Sequence, residues 1–316
     1  MSKSTIFALL ILIIGCFGCG SKDRVVIFHA GSLARPLREL KTEFEATHPG
    51  CEVVLEAAGS RASCRKISEL SRSADMIAVS DYLVIEELLM PEHCDWHISF
   101  AGNSMVIAFS VHSKYGSEIS PDNWFEVLAR PDVKFGHSDK NLDPCGYRTE
   151  MVWQLSDRHY SGKQVLAEMK KRSDPRNVRP TEIELIALLE NFALDYAFQY
   201  KSIALQYHLK YIELPESVNL SESAMEYLYR SAEVIVSGRQ PGEHTLVHGT
   251  PIRYAFTILK KSPGREQAVQ FAEFMLSDAG RALIEKNHQP AISPAVASRM
   301  DLIPTTLRRY CREEHL

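Results

Sequence analysis

From Val25 to Met90 the chain alternates short apolar runs with amphipathic stretches three times over. Val25-Val26-Ile27-Phe28 reads as a buried strand. The turn His29-Ala30-Gly31-Ser32 follows, and then Leu33, Leu37, Leu40 and Phe44 recur on one helical face until Pro49-Gly50 stops the helix. Cys51 to Leu55, Gly59-Ser60-Arg61 and a helical stretch through Ile67 and Leu70 repeat the pattern. Met76 to Val79, Asp81 and a Leu- and Glu-rich helix to Met90 repeat it again. Such alternation predicts an α/β fold with a mostly parallel sheet covered by helices on both faces.

Beyond a further strand, Met105 to Val111, the pattern changes. Helices are expected at Trp124 to Leu128 and Pro144 to Leu155. Strands are expected at Tyr196 to Tyr200 and Tyr211 to Leu214, around a short helix from Lys201 to His208. Ile252 to Leu259 is a strong strand, and helices around Ala268 to Leu276 and Ala279 to Ile284 follow it. The return of strand–helix pairing in the last third predicts that it rejoins the first unit. The expected organisation is two lobes: 24–110 opening the first, 111–212 forming the second, and 213–316 returning to the first. A length of 316 residues suffices for that. The ligand cleft is expected between the lobes.

The N-terminus precedes this fold. Lys3 and the apolar run Ile6 to Phe17 have the charge and length of a signal segment, and the run is too short to span a bilayer. It contains Ile13-Ile14-Gly15-Cys16, an order resembling a bacterial lipoprotein cleavage box, so residues 1–19 are assigned as leader and Cys16 as the lipid-bearing residue. Cys19 is the second candidate. An extracytoplasmic protein held on a membrane face is the expectation. Five cysteines remain: Cys51, Cys64, Cys94, Cys145 and Cys311. Their odd number and scatter do not make a disulfide framework, and no CxxC spacing points to zinc. A net charge of −4 without a Lys/Arg-rich run argues against nucleic acid as a partner.

The chemistry concentrates where strands hand over to helices. Gly31-Ser32 and Gly59-Ser60 each stand between a strand and a helix start, where free N–H groups and the helix dipole suit an oxyanion. Read singly, each serine is an N-cap. After successive parallel strands, the two lie side by side at one sheet edge.

Five blocks then carry a family resemblance: Phe28-His29-Ala30-Gly31-Ser32-Leu33, Ala58-Gly59-Ser60-Arg61, Asp143-Pro144-Cys145-Gly146-Tyr147-Arg148, Arg179-Pro180-Thr181-Glu182, and Asp195 to Ser202. In this order they resemble the archaeal-type branch of the tungstate/molybdate-binding proteins, over about Val25 to Pro294. The resemblance implies a type II periplasmic-binding-protein fold and the solute-binding component of an ABC importer, with a permease and an ATPase as partners. It implies a monomer without a cofactor that carries one tungstate or molybdate. By match, Ser32 and Ser60 hydrogen-bond the oxyanion, Asp143 and Glu182 complete six-fold coordination of its metal, and Tyr200 also contacts it. The stretch between the Asp143 and Glu182 blocks is shorter than the family's, which leaves Glu184 as the alternative to Glu182. Gln199 stands where an aliphatic residue is usual.

The carboxylates can also be argued from charge. An anion site should exclude acids, since like charges at about 4 Å repel by about 4 kcal/mol at an effective dielectric of 20. Acids become favourable only by bonding a Lewis-acidic centre. Tungsten(VI) and molybdenum(VI) expand from four to six oxygen ligands, whereas the sulfur and phosphorus of sulfate and phosphate do not readily do so. As the alternative, Asp143 is an N-cap before Pro144 and Glu182 a first-turn acid. His29 reads as a core histidine or a metal ligand, and Cys145 as a thiol at a helix start. Arg61 and Arg148 are either anion contacts or structural ion pairs. Three other functions stay open: a sulfate or phosphate carrier, an oxyanion sensor, and a hydrolase using Ser32. The last lacks a G-x-S-x-G elbow.

Overall fold

The computed structural model describes residues 23–314; residues 1–19, expected to be a leader, with Cys16 and Cys19, lie outside the described residues. The opening alternation folds as β1 (Asp23–Ala30), α1 (Ala34–Thr47), β2 (Cys51–Ala58), α2 (Ser60–Ser68), β3 (Met76–Val79) and α3 (Tyr82–Leu88). Leu37, Leu40 and Phe44 of α1 are buried, as their spacing requires. Strand β1 pairs in parallel with both β2 and β3. After β4 (Ile98–Gly102) the chain crosses at Asn103-Ser104 into β5 (Met105–Phe109).

The second lobe continues with α4 (Trp124–Leu128), β6 (Phe135–Ser138), α5 (Pro144–His159), α6 (Val165–Arg172), β7 (Val178–Arg179), α7 (Glu184–Glu190), β8 (Tyr196–Tyr200), α8 (Lys201–Gln206) and β9 (Lys210–Glu213). Every residue of β8 is buried, the mark of a central strand covered on both faces. The return path runs through α9 (Glu216–Asn219), α10 (Glu226–Tyr229) and a hairpin of β10 (Glu233–Ser237) and β11 (His244–His248). It ends in β12 (Arg253–Ile258), α11 (Arg265–Leu276), α12 (Asp278–Lys286), β13 (Ala291–Ala297) and β14 (Cys311–Glu313).

The strands form a seven-stranded sheet, β14-β13-β4-β12-β3-β1-β2, and a five-stranded sheet, β7-β6-β8-β5-β9. The run β2-β1-β3-β12-β4 and the order β7-β6-β8-β5-β9 are the same arrangement. In each, three parallel strands are followed by one antiparallel strand delivered by a crossover: β12 beside β3 and β5 beside β8. The sheets are therefore mixed, with antiparallel ladders arising where the chain changes lobe.

Two segments sit differently from the expected ranges. Strand β5, inside 24–110, pairs with β8 and β9 in the second sheet, because only two residues separate it from β4 and the chain has already crossed. Residues 216–248, inside 213–316, precede the return to the first sheet. Their hairpin pairs Glu233 with the side chain of Gln154 on α5, while the Ser237 and Gly238 carbonyls accept from Arg65 on α2.

Candidate functional site

Parallel strands expose their carboxyl ends on one edge, and both sheets turn that edge toward the cleft. From the first lobe come Ser32 after β1, Ser60 after β2 and Ser80 after β3. From the second come Asp143 after β6, Glu182 after β7 and Tyr200 closing β8. All six are buried, none more than 1% exposed. The lobes are thus shut over the residues that they present. A Cβ placed on Gly59 would lie 2.3 Å from the Leu142 carbonyl oxygen across the cleft, and one on Gly31 would lie 3.4 Å from both oxygens of Glu182. At Gly59 only glycine permits that approach; at Gly31 a Cβ would instead crowd Ile183 Cγ1 at 3.0 Å. A cavity of about 300 Å³ lies where the lobes meet, lined by Gly31, Ala58, Gly59, Pro180, Thr181 and Ile183.

The carboxyl pair is the unusual feature. Asp143 stands at the N-cap of α5 with Pro144 behind it, and its carboxylate accepts from the Glu182 N–H at 3.3 Å. Neither side-chain oxygen of Glu182 has a hydrogen-bond partner. Burial raises the pKa of both groups, and the Asp143 charge pushes Glu182 further, well above the ordinary carboxyl range. The Ser32 hydroxyl lies close enough to act on Glu182 in the opposite sense. Leaving two carboxyl oxygens buried and unmatched costs on the order of several kcal/mol. A fold keeps such a pair when something else supplies the partner. Glu184 is exposed, bonded to Thr181 and lines the cavity at the lobe junction, whereas Glu182 is the acid buried against Asp143. The Gln199 amide donates to the Glu182 carbonyl at 2.6 Å and so holds that loop in place.

Around the pair lies a ring of hydrogen-bonded hydroxyls. Ser60 Oγ is 3.1 Å from Ser80 Oγ and accepts from the Ser80 N–H at 3.0 Å. Tyr200 accepts from Arg148 at 2.8 Å, and Arg148 also donates to the Ser80 carbonyl across the cleft. The guanidinium pairs with Asp81 at 2.9 Å, and Tyr147 donates to the same carboxylate at 2.6 Å. On the other side Tyr254 donates to Ser32 Oγ at 3.0 Å.

The remaining candidates fall elsewhere. Arg61 is wholly buried but pairs with Glu87 and donates to the Ser237 carbonyl, a structural role. His29 donates to the neighbouring Ala30 carbonyl, and burial lowers its pKa to about 4, so it is a neutral core group. Burial pushes the Cys145 thiol well up, which opposes the activation that a helix start would give. Cys51, Cys64, Cys94, Cys145 and Cys311 are all free. Among the described residues no group of three or more His, Cys, Asp and Glu is placed to hold a metal ion. No described helix is long and apolar enough to cross a membrane.

Sequence reasoning missed Ser80, Tyr254 and Asn103. Ser80 repeats the strand–Ser–helix handover of Ser32 and Ser60 and was legible by that spacing. Tyr254 reads as core inside a strand, and nothing local distinguishes it.

The fold and the family agree with this geometry. The sulfate-binding protein SubI from Mycobacterium tuberculosis superposes with a TM-score of 0.60 at 11% identity, covering 91% of this chain and 90% of that one. The Azotobacter vinelandii periplasmic molybdate-binding protein gives 0.54 at 16% identity, over 84% and 98%. At such identities these likenesses speak for the fold alone. In sequence, an uncharacterized solute-binding protein from Petrotoga mobilis is 44% identical over 288 residues, 91% of this chain and 90% of that protein. The molybdate/tungstate-binding protein WtpA of Pyrococcus abyssi is 38% identical over 328 residues, 93% and 94%. The family model for bacterial extracellular solute-binding proteins matches residues 25–288, and the chain belongs to that family.

Proposed function

We propose that this protein captures tungstate or molybdate outside the cytoplasm and hands it to the permease and ATPase of an ABC importer, binding the oxyanion without transforming it. The observation that carries the reading is the buried Asp143–Glu182 pair, with both oxygens of Glu182 unpartnered beside hydroxyls from the opposite lobe. Ionised, the two acids repel an anion unless they bond its central atom, and that bond is what would displace the proton that burial holds on Glu182. Tungsten(VI) and molybdenum(VI) accept two further oxygens; sulfur and phosphorus do not readily do so. In this reading Ser32, Ser60 and Tyr200 donate to the oxyanion's oxygens, and Asp143 and Glu182 complete six-fold coordination. The 38% identity to a protein named for molybdate and tungstate supports the same ligands. One chain binds one oxyanion and acts as a monomer.

Titration calorimetry with tungstate, molybdate, sulfate and phosphate tests the reading. Wild-type protein should bind the first two. Asp143→Ala with Glu182→Ala should weaken tungstate by several kcal/mol, each 1.4 kcal/mol being tenfold, and leave sulfate unaltered or improved. A tungstate-over-sulfate preference that survives the double change would refute it. Anchoring belongs to the same proposal: the lipid is carried by Cys16. Cys16→Ala should move the protein from the membrane fraction to the soluble one, whereas release by Cys19→Ala alone would assign the anchor to Cys19.

A further inference from the structure

An oxyanion offers only acceptors, whereas a hydroxyl can present either its proton or a lone pair, so a seat built of hydroxyls has to settle their direction. Asn103 lies on the crossover between β4 and β5 and is 6% exposed. Its Oδ1 accepts from the N–H groups of Ser104 at 3.0 Å and Ser202 at 3.3 Å. Those two donors fix the amide, since the flipped orientation would set NH₂ against N–H. Its Nδ2 therefore donates to Ser202 Oγ at 2.8 Å and to the Tyr254 hydroxyl at 3.1 Å.

Tyr254 is wholly buried, and the acceptor within its reach is Ser32 Oγ at 3.0 Å. Accepting a hydrogen bond from an amide NH₂ that can only donate, it directs its own O–H to Ser32. Ser32 Oγ then has its lone pair engaged and its own proton left to give into the cleft. The other two hydroxyls also each receive a donor, and both stand beside Ser80 Oγ, Ser60 at 3.1 Å and Tyr200 at 3.5 Å. An N–H from Ser80 enters Ser60 Oγ at 3.0 Å, and one from Arg148 enters Tyr200 at 2.8 Å. Ser60 and Tyr200 are thus fed by groups that can only donate, whereas Ser32 is fed by a hydroxyl whose direction Asn103 sets.

From this we infer that Asn103, at the hinge and out of contact with the ligand seat, is a positioning residue: through Tyr254 it fixes Ser32 as a donor to the bound oxyanion. The inference rests on the oxyanion-capture reading above. Preset donors need no reorganisation when the ligand arrives, which is where pre-organisation yields affinity.

A double-mutant cycle on tungstate affinity tests it, with thermal melting to establish that each variant is folded. Asn103→Asp replaces the Nδ2 donor by an acceptor, so Tyr254 turns to it and Ser32 turns its proton back toward Tyr254. Binding should fall about tenfold or more, the scale of one hydrogen bond to a charged acceptor. In a Tyr254→Phe background the relay is absent, and Asn103→Asp should cost under about threefold, since only its long-range charge remains. Equal losses in the two backgrounds overturn the inference, because charge or distortion alone then accounts for them. If Asn103→Asp does not fold, Asn103→Ala serves in the same cycle: a loss confined to the Tyr254 background supports the relay, and equal losses overturn it. Wild-type protein that binds none of the four oxyanions overturns the functional reading, and the inference with it. Binding with additive losses overturns the inference alone.

Discussion

Glu182→Gln should stabilise the empty protein and disable the loaded one. Burial and the neighbouring Asp143 charge hold the Glu182 pKa well above its ordinary value of 4.5, so the folded protein keeps this carboxyl neutral where the unfolded chain ionises it. A group raised on folding contributes its full stability below the unfolded value and loses it as pH rises toward the folded one. The 2.5 pH units between 4.5 and 7, at about 1.36 kcal/mol each, set a ceiling of about 3.4 kcal/mol on the cost at pH 7. Glutamine has nearly the same shape and no proton to lose, so the cost disappears. Melting of ligand-free wild type and variant should coincide near pH 4. The variant should lead above that, by up to about 7 °C at pH 7 on the usual scale of about 2 °C per kcal/mol. With saturating tungstate the order should reverse, because a neutral amide is a poor fifth or sixth ligand to the metal. Melting curves that stay parallel from pH 4 to 8 would refute the argument, since Glu182 would then titrate as an ordinary surface acid.

Two further outcomes test the closed arrangement. Gly59 has φ −59°, which alanine adopts freely, yet its Cβ would stand 2.3 Å from the Leu142 carbonyl oxygen. Gly59→Ala should therefore melt like wild type but keep a larger radius in small-angle scattering with tungstate present; unchanged closure would refute the contact. Arg148→Met leaves Asp81 buried without its cation, which should destabilise the closed form by up to about 3–5 kcal/mol and weaken tungstate binding through lost closure. Adding Asp81→Asn should recover part of that in calorimetry, and an undiminished loss in the pair would show that the ion pair does not hold the lobes.

Much of the architecture was legible in the chain alone. The runs at Val25, Cys51, Met76, Met105, Tyr196, Tyr211 and Ile252 became strands within a few residues of their expected ends, because each pairs dense β-branched or aromatic content with flanking turns. Strands β4, β6, β7, β10, β11, β13 and β14 were not anticipated. Glu233–Ser237 carries the β-branched run Val234-Ile235-Val236 with alternating exposure, so its pattern was legible, whereas Ile98–Gly102 and Phe135–Ser138 are short and carry glycine and serine. Such segments become strands through their neighbours rather than through their own composition.

What local sequence determined by itself were the handovers: apolar strand, Gly-Ser or Asp-Pro turn, helix. Strand ends and helix starts are set by residues within one or two turns of each other, so a reader of the chain finds Ser32, Ser60 and Asp143 at the edges of elements. Tertiary structure alone decided which edges face one another and which way each hydroxyl points. Asn103 and Tyr254 are 151 residues apart, and Tyr254 and Ser32 are 222 apart, yet these contacts fix the direction of Ser32. Likewise, the pairing of Arg148 with Asp81 exists only because two sheets of the same strand order close edge to edge. Hydrogen-bond direction propagates through contacts in space, and no periodicity along the chain records it.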